Sequence, residues 1–220
     1  TFSGWSEIPE TMPAKDVEVV GTFAINSYKL TIEYVYENGE EASATYSEEY
    51  EYNAEYEVTS PVVVGYTADK LVVEGTMGAS AVNVTVTYEA NADTAYTVKH
   101  YKEDLNVDTY TLADTENKTG TTGTQTSAAA KNYVGFTAGT VTQETIAPDG
   151  TTIVEIYYTR NSYDVVYKVD GVEKHTDTYE YEEKVEARAD ESKTGYTFSG
   201  WSKIPETMPA EDVEVVGTFA

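Results

Sequence analysis

Chemistry near neutral pH needs an imidazole, a thiolate or a tuned carboxylate. This chain offers only two imidazoles, His100 and His175, and no cysteine. The missing cysteines remove disulfides, thiolate nucleophiles and thiolate metal sites together. His100 lies in an alternating run with Tyr96 and Val98 on its own face. It aligns with Ile32 and Tyr167 of two similar runs, so it reads as a packed or partly exposed strand histidine. His175 follows an Asp170-Gly171 turn and is expected to face solvent. No motif joins either one to a serine and an aspartate. Asp plus Glu total 39, so a carboxylate pair of glycosidase type can be drawn almost anywhere and none is informative. The sequence therefore assigns no catalytic residue, no cofactor-binding residue and no metal ligand.

The most unusual stretch is Glu33–Glu57, with nine glutamates, six tyrosines and no basic residue. It has two readings. One is binding of a divalent cation or a cationic partner. The other, which we favour, is protection of an edge strand, because charged side chains block sheet-to-sheet association. Glu49 and Glu51 alternate with Tyr50 and Tyr52, as one wet and one packed face require. No Asp-x-Asp-x-Asp-Gly loop supports a dedicated calcium site. The 20 tyrosines could form sugar-stacking platforms, but in alternating runs they read first as core and cross-strand pairs. Asn83-Val-Thr and Asn117-Lys-Thr fit the N-glycosylation pattern. No lysine, asparagine and acid are brought together by the sequence as an isopeptide crosslink would need.

The formal net charge is −25, from 14 basic and 39 acidic residues in 220. That balance opposes binding to nucleic acid, whose phosphates need Lys and Arg. It also opposes docking on an anionic membrane. No apolar run approaches the roughly 20 residues that span a bilayer. The opening at Thr1 reads as a processed or cut terminus. Charge is uneven along the chain. Residues 95–160 carry 8 acids and 5 bases, a net −3, against −14 for 1–94 and −8 for 161–220. The middle stretch is thus the first place to look for a contact surface.

These residues must be positioned by repeats. Residues 1–24 and 197–220 differ only at Glu7/Lys203 and Lys15/Glu211. The period is therefore 196 residues. Weaker landmarks divide it. Tyr28, Tyr96 and Tyr163 each open an alternating run. Gly65-Tyr66-Thr67, Gly135-Phe136-Thr137 and Gly195-Tyr196-Thr197 follow. Runs at Val82–Tyr88, Ile153–Tyr157 and Val213–Phe219 close each unit. In the first, Tyr28, Leu30, Ile32, Tyr34 and Tyr36 share a face. Asn38-Gly39 and Asp170-Gly171 are hairpin turns, because their residues tolerate positive φ. The second unit has a longer turn around Glu103–Asp108. Asp149-Gly150 precedes another strand. Ser127–Lys131 and Glu182–Glu191 are the best candidates for short helices, and Pro205 and Pro209 bracket an irregular segment. Trp5, Trp201, Phe198 and Phe219 are expected core anchors.

The segment Tyr163–Ala220 resembles the Listeria–Bacteroides (internalin-type B) repeat. It carries the Tyr163-Asp-Val-Val-Tyr-Lys-Val-Asp-Gly opening, Tyr179-Glu-Tyr-Glu-Glu-Lys, Gly195-Tyr-Thr-Phe-Ser-Gly-Trp201, and Ile204-Pro-Glu-Thr-Met-Pro209 before Val213-Glu-Val. Thr1–Ala24 matches its rear half. Residues 25–92 and 93–160 resemble mucin-binding-protein (MucBP-type) repeats in their layout of tyrosine run, hairpin, Gly-Tyr or Gly-Phe, and strand. The resemblance implies secreted or wall-attached bacterial proteins, mostly Gram-positive, with no catalytic residue to transfer. It implies mainly β, β-grasp-like (ubiquitin-like, helix reduced) modules.

The expected organisation is a half repeat at 1–24, MucBP-like modules at 25–92 and 93–160, and a B-type repeat at 161–220. Strung head to tail, these make an elongated rod. The expected function is a non-catalytic cell-surface stalk, fibre or spacer. The alternative is an adhesin module that binds mucin or another host glycoprotein or glycan. Neighbouring copies, joined head to tail or by strand donation, are the other expected partners, with no nucleic acid, no membrane insertion and no cofactor.

Overall fold

The computed structural model describes residues 1–105 and 108–220. Every regular element among them is a β-strand, and none is a helix. No helix is therefore long and apolar enough to cross a membrane. The chain divides into two compact units, Thr1–Ala92 and Asp93–Ala220.

In the first unit, β1 (Phe2–Trp5) and β2 (Gly21–Phe23) form an antiparallel pair. A second sheet has the order β4-β3-β8-β6, built from β3 (Ser27–Tyr36), β4 (Glu41–Glu51), β6 (Tyr66–Ala68) and β8 (Val82–Ala90). β5 (Glu55–Thr59) and β7 (Val72–Thr76) pair separately. The core is Leu30, Ile32, Tyr34, Val73, Met77, Val86 and Tyr88, with Tyr28 and Tyr36 partly buried beside it. The alternation in β3 thus sorts its residues as expected: Lys29 and Glu33 point to solvent.

In the second unit, β9 (Thr94–Glu103), β10 (Tyr110–Gly120), β11 (Phe136–Ala138) and β12 (Ile153–Arg160) form a sheet of order β10-β9-β12-β11. A second sheet, β14-β13-β15, contains β13 (Ser162–Val169), β14 (Val172–Glu180) and β15 (Val213–Gly217). Each has its own apolar cluster, one around Val98, Ile146, Ile156 and Tyr158, the other around Val165, Tyr167, Met208 and Val215. Arg160 links the two segments. Its guanidinium donates to the Tyr181 carbonyl at 2.7 Å and pairs with Glu182 at 2.9 Å. The Tyr181 ring lies on Gly135, where a Cβ would come 2.2 Å from Cδ1.

One topology recurs three times. The opening strand pairs antiparallel with the next strand and parallel with the last: β3 with β8, β9 with β12, β13 with β15. Parallel pairing demands a crossover, which a helix usually supplies. Here extended chain supplies it. Each crossover is held by the same clamp. Asn53, Gly123 and Glu182 adopt positive φ of 64°, 77° and 67°. Their N–H groups donate to the carbonyls of Met77, Ile146 and Met208 at 2.8–2.9 Å. Those three residues return their own N–H to Ala54, Thr124 and Glu183 at 2.8 Å. Their side chains are all but fully buried.

Several expectations change. Ser127–Lys131 is not helical, because other groups take its backbone. Gln143 Oε1 accepts from the Ala128 N–H at 2.8 Å, and the Tyr158 hydroxyl accepts from the Lys131 N–H at 2.7 Å. Glu182–Glu191 is not helical either, since Glu182, Glu183 and Val185 exchange backbone bonds with Glu206 and Met208. Asp170 and Gly171 both have positive φ, at 51° and 78°, as the two-residue turn requires. At Asn38-Gly39 only Gly39 does, at 84°, and its N–H donates to the Tyr36 carbonyl, so the turn closes one residue earlier. The longer turn at Glu103–Asp108 lies partly outside the described residues, and its flanks are tied by Asp104 N–H to Thr109 O at 2.9 Å. Of the expected core anchors, Trp201 packs on its cluster, while Phe198 and Phe219 are half-buried beside it. Trp5 is exposed.

Candidate functional site

His100 is the one histidine the fold draws inside. β9 carries it on its inward face, directly across from Ile156 of β12 and Asp114 of β10. Its side chain is fully buried. The Tyr158 hydroxyl accepts the Lys131 backbone N–H at 2.7 Å and shares a hydrogen bond with His100 Nδ1 at 2.8 Å. Nε2 shares another with Glu116 Oε1 at 3.2 Å. The same carboxylate oxygen pairs with Lys131 Nζ at 2.9 Å, and Lys131 also contacts Asp114. The hydrogen bonds from Lys131 hold the Asp114 and Glu116 carboxyls below their usual range, and both carboxylates push the Lys131 ammonium up.

Every polar atom of the imidazole is thus committed to structure. The network joins β9, β10, β12 and the segment around Lys131. His175 is half-exposed and pairs with Glu191 at 2.8 Å. The two other residues at the His100 position show what the burial costs. Ile32 is apolar and Tyr167 is buried, with a hydroxyl that has no hydrogen-bond partner among the described residues.

The Glu33–Glu57 stretch takes in the end of β3, which is interior to its sheet, all of β4, which is a sheet edge, and the start of β5. Glu49 and Glu51 are exposed and Tyr50 packs on the core, whereas Tyr52 lies past the strand end and is exposed. Tyr46 donates to Glu48 at 2.5 Å, which pushes its phenol up. A groove of about 670 Å³ runs along β5 and β7, lined by Glu55, Glu57 and Glu74. Glu57 stands directly across from Glu74, a repulsive pairing. Among the described residues, no three His, Asp or Glu side chains converge as metal ligands would. Asn83 and Asn117 lie within β8 and β10.

One feature that sequence reasoning did not resolve is an aromatic group at the surface. β9 and β12 run parallel with Tyr101 opposite Tyr157. Their rings stack at 5.1 Å and 15°, and Tyr110 of β10 meets Tyr157 edge-on at 5.1 Å. Tyr157 is 43% exposed and the other two are half-buried. Both stacked hydroxyls donate to Glu155, at 3.2 and 2.8 Å. Partial desolvation for Tyr101, and the Glu155 bond for Tyr157, push these phenols up, so they stay neutral donors. The three positions are non-adjacent in sequence, so only strand pairing reveals them.

Comparison with known proteins completes the picture. Residues 29–89 match the profile of the MucBP domain, and residues 163–211 that of the Listeria–Bacteroides repeat domain. A solved MucBP domain from Lactobacillus acidophilus is 25% identical over 31% of this chain and 94% of that one, with a TM-score of 0.25. The Bacillus anthracis TIE protein is 12% identical over 92% of this chain and 52% of that one, at a TM-score of 0.39. Streptococcal SHIRT domains 3–4, from a cell surface protein, are 17% identical over 56% and 96%, at 0.22. No curated protein matches the chain. Residues 1–24 and 93–160 lie outside both profile matches. The two matched segments fall within the stretches whose motifs resemble the MucBP and Listeria–Bacteroides repeats.

Proposed function

We propose that this chain is a non-catalytic segment of an extracellular bacterial surface protein, serving as a stalk or spacer. One observation carries the reading. Three sheets each close a separate apolar cluster, and among the described residues no three His, Asp or Glu side chains converge as metal ligands would. In this reading residues 25–92, 93–160 and 161–220 are modules of one β-grasp-like type, ubiquitin-like with the helix replaced by extended chain. The parallel pairing of first and last strands supports that assignment, and residues 1–24 are the rear half of a fourth module. The Arg160–Tyr181 junction supports a stiff link between the last two modules. Small-angle scattering tests the spacer. A compact globule of this length has a radius of gyration of about 17 Å. The proposal expects a clearly larger value, and a value near 17 Å refutes it.

A second reading is favoured by the Tyr101–Tyr110–Tyr157 surface, on the stretch with the smallest net charge. Exposed aromatic faces stack on sugar rings, and Glu155 beside them accepts hydroxyl protons. The ligand class would be a glycan of a mucin-like glycoprotein, as the MucBP resemblance implies. Retention on a mucin-coated surface checks it. Tyr157→Ala, in a still-folded chain, should abolish retention. Undiminished retention would reject this surface.

A further inference from the structure

β12 ends at Arg160 and β13 begins at Ser162, so Asn161 is the whole connection between their two sheets. All of its polar groups are hydrogen-bonded. Towards the preceding sheet, its N–H donates to Gly135 O at 2.9 Å and its Oδ1 accepts from Thr137 Oγ1 at 2.6 Å. Towards the following segment, its carbonyl accepts from the Tyr181 N–H at 2.9 Å and its Nδ2 donates to the Tyr163 hydroxyl at 3.4 Å.

The same anchoring recurs at two other asparagines. Asn91 directly follows β8. Its N–H donates to Gly65 O at 2.9 Å and its Oδ1 accepts from Thr67 Oγ1 at 2.7 Å. Asn26 directly precedes β3. Its Oδ1 accepts from Thr1 Oγ1, and its carbonyl accepts from the Tyr52 N–H at 2.9 Å. Thr67 and Thr137 end the Gly-Tyr-Thr and Gly-Phe-Thr landmarks, and Thr1 is the duplicate of Thr197, which ends the third. Tyr52 and Tyr181 each stand one residue ahead of a positive-φ clamp residue, Asn53 and Glu182. At 26 and 161 the asparagine is therefore tied to a landmark threonine on one side and to a crossover clamp on the other.

A connecting residue left free turns about two soft dihedrals, φ and ψ. Asparagine can remove that freedom, because its short side chain adds an acceptor and a donor to those of its backbone. At Asn161 the neighbours reinforce the hold. Arg160 donates to Tyr181 O at 2.7 Å, so residues 160 and 161 together grip both the N–H and the C=O of Tyr181. Phe136, next to Thr137, meets the Tyr181 ring edge-on at 5.9 Å.

We propose that Asn161 is a positioning residue that holds the β9–β12 sheet and the β13–β15 sheet at one fixed angle, with Thr137 as its anchor. The inference holds whether the chain is a spacer or an adhesin. A scattering result that refutes the spacer would leave it standing.

The absence of cysteine allows a direct test, since two introduced cysteines take spin labels at no other place. Thr115 of β10 and Lys174 of β14 are exposed and lie on the two sheets. In the full chain carrying Thr115→Cys and Lys174→Cys, pulsed electron paramagnetic resonance should give one narrow distance peak. Asn161→Ala and Thr137→Val should each lose that peak to a broad distribution. Asn161→Asp keeps the oxygen that accepts from Thr137 and should keep the peak. Hydrogen exchange separates a loosened joint from an unfolded sheet. The Tyr181 amide should exchange about five- to tenfold faster in Asn161→Ala, as loss of one hydrogen bond implies. Amides of Val98 and Val165, within the two apolar clusters, should keep their rates. A broad distribution in the parent overturns the inference, as does a narrow peak that survives Asn161→Ala. Faster exchange at Val98 or Val165 in that variant also overturns it, because Asn161 would then stabilise a sheet instead of setting an angle. Loss of the peak in Asn161→Asp would overturn the part given to Thr137.

Discussion

If the apolar clusters are separate, damage to one must stay local. Ile32 in the first unit and Ile156 in the second are both fully buried. Ile32 packs among Leu30, Tyr34, Val86 and Tyr88, and Ile156 among Val98, Val154 and Tyr158. Truncating a buried isoleucine to alanine costs about 2–5 kcal/mol, through lost transfer energy and the cavity left behind. A segment of about 65 residues has only about 3–10 kcal/mol to lose. Each variant should therefore lower its own transition by about 10 °C or more, given the about 4–8 °C per kcal/mol of domains this size. The assay is calorimetry with hydrogen exchange to assign each transition. Ile32→Ala should destabilise the segment around its own cluster and leave the Ile156 and Val165 clusters at their original midpoints, and Ile156→Ala should destabilise only the segment around Val98, Ile146 and Tyr158. If both variants shift one common transition by the same amount, the clusters unfold as one core and the reasoning fails.

The remaining predictions concern polar groups. Tyr158→Phe should cost about 2 kcal/mol or more, because His100 Nδ1 and the Lys131 N–H both lose their partner in a buried site. Tyr167→Phe should cost clearly less, because its hydroxyl makes no hydrogen bond of normal geometry among the described residues; urea titration of both variants checks the contrast. The Arg188 guanidinium beside Asp177 holds that carboxyl below its usual value. A depressed folded pKa contributes stability above the unfolded value of about 3.9, and that contribution disappears as pH falls below it. Arg188→Gln should therefore melt earlier than the parent at pH 7, and the two curves should converge as pH drops below about 4. A constant gap down to acid would mean that Arg188 stabilises by packing alone.

Much of the architecture was legible because strand burial has a period of two. In β3 the alternation of Tyr28, Leu30, Ile32 and Tyr34 with Lys29 and Glu33 leaves one arrangement that hides the apolar set. The turns were legible because Gly39 and Gly171 supply φ angles that side chains resist. The clamp was not. Its left-handed residue is Asn53 in one repeat, Gly123 in the next and Glu182 in the third, and the residue it holds is Met77, Ile146 or Met208. No shared residue type marks it, since the constraint acts on backbone groups. The Tyr101–Tyr110–Tyr157 surface was equally hidden, because Tyr101 meets Tyr157 only through parallel pairing across more than fifty residues and Tyr110 joins them from the antiparallel neighbour of β9. The helices expected at Ser127–Lys131 and Glu182–Glu191 failed for a related reason. Local propensity favoured them, but Gln143, Tyr158 and Met208 compete for the same backbone groups.

The duplicated ends of the chain separate the two kinds of information. Thr1–Ala24 and Thr197–Ala220 are nearly the same sequence and fold into the same hairpin, with the same serine bonds and the same aromatic packing. Sequence alone determined that much, because those contacts all lie within 24 residues. Yet Val-Glu-Val-Val-Gly is the strand β15 at 213–217, while Val17–Val20 has no strand pairing. A strand exists only where its N–H and C=O groups find partners, and a methionine is core only where something covers it. β13 supplies the partners at one end and Glu182–Glu183 the cover, and at the other end neither is present.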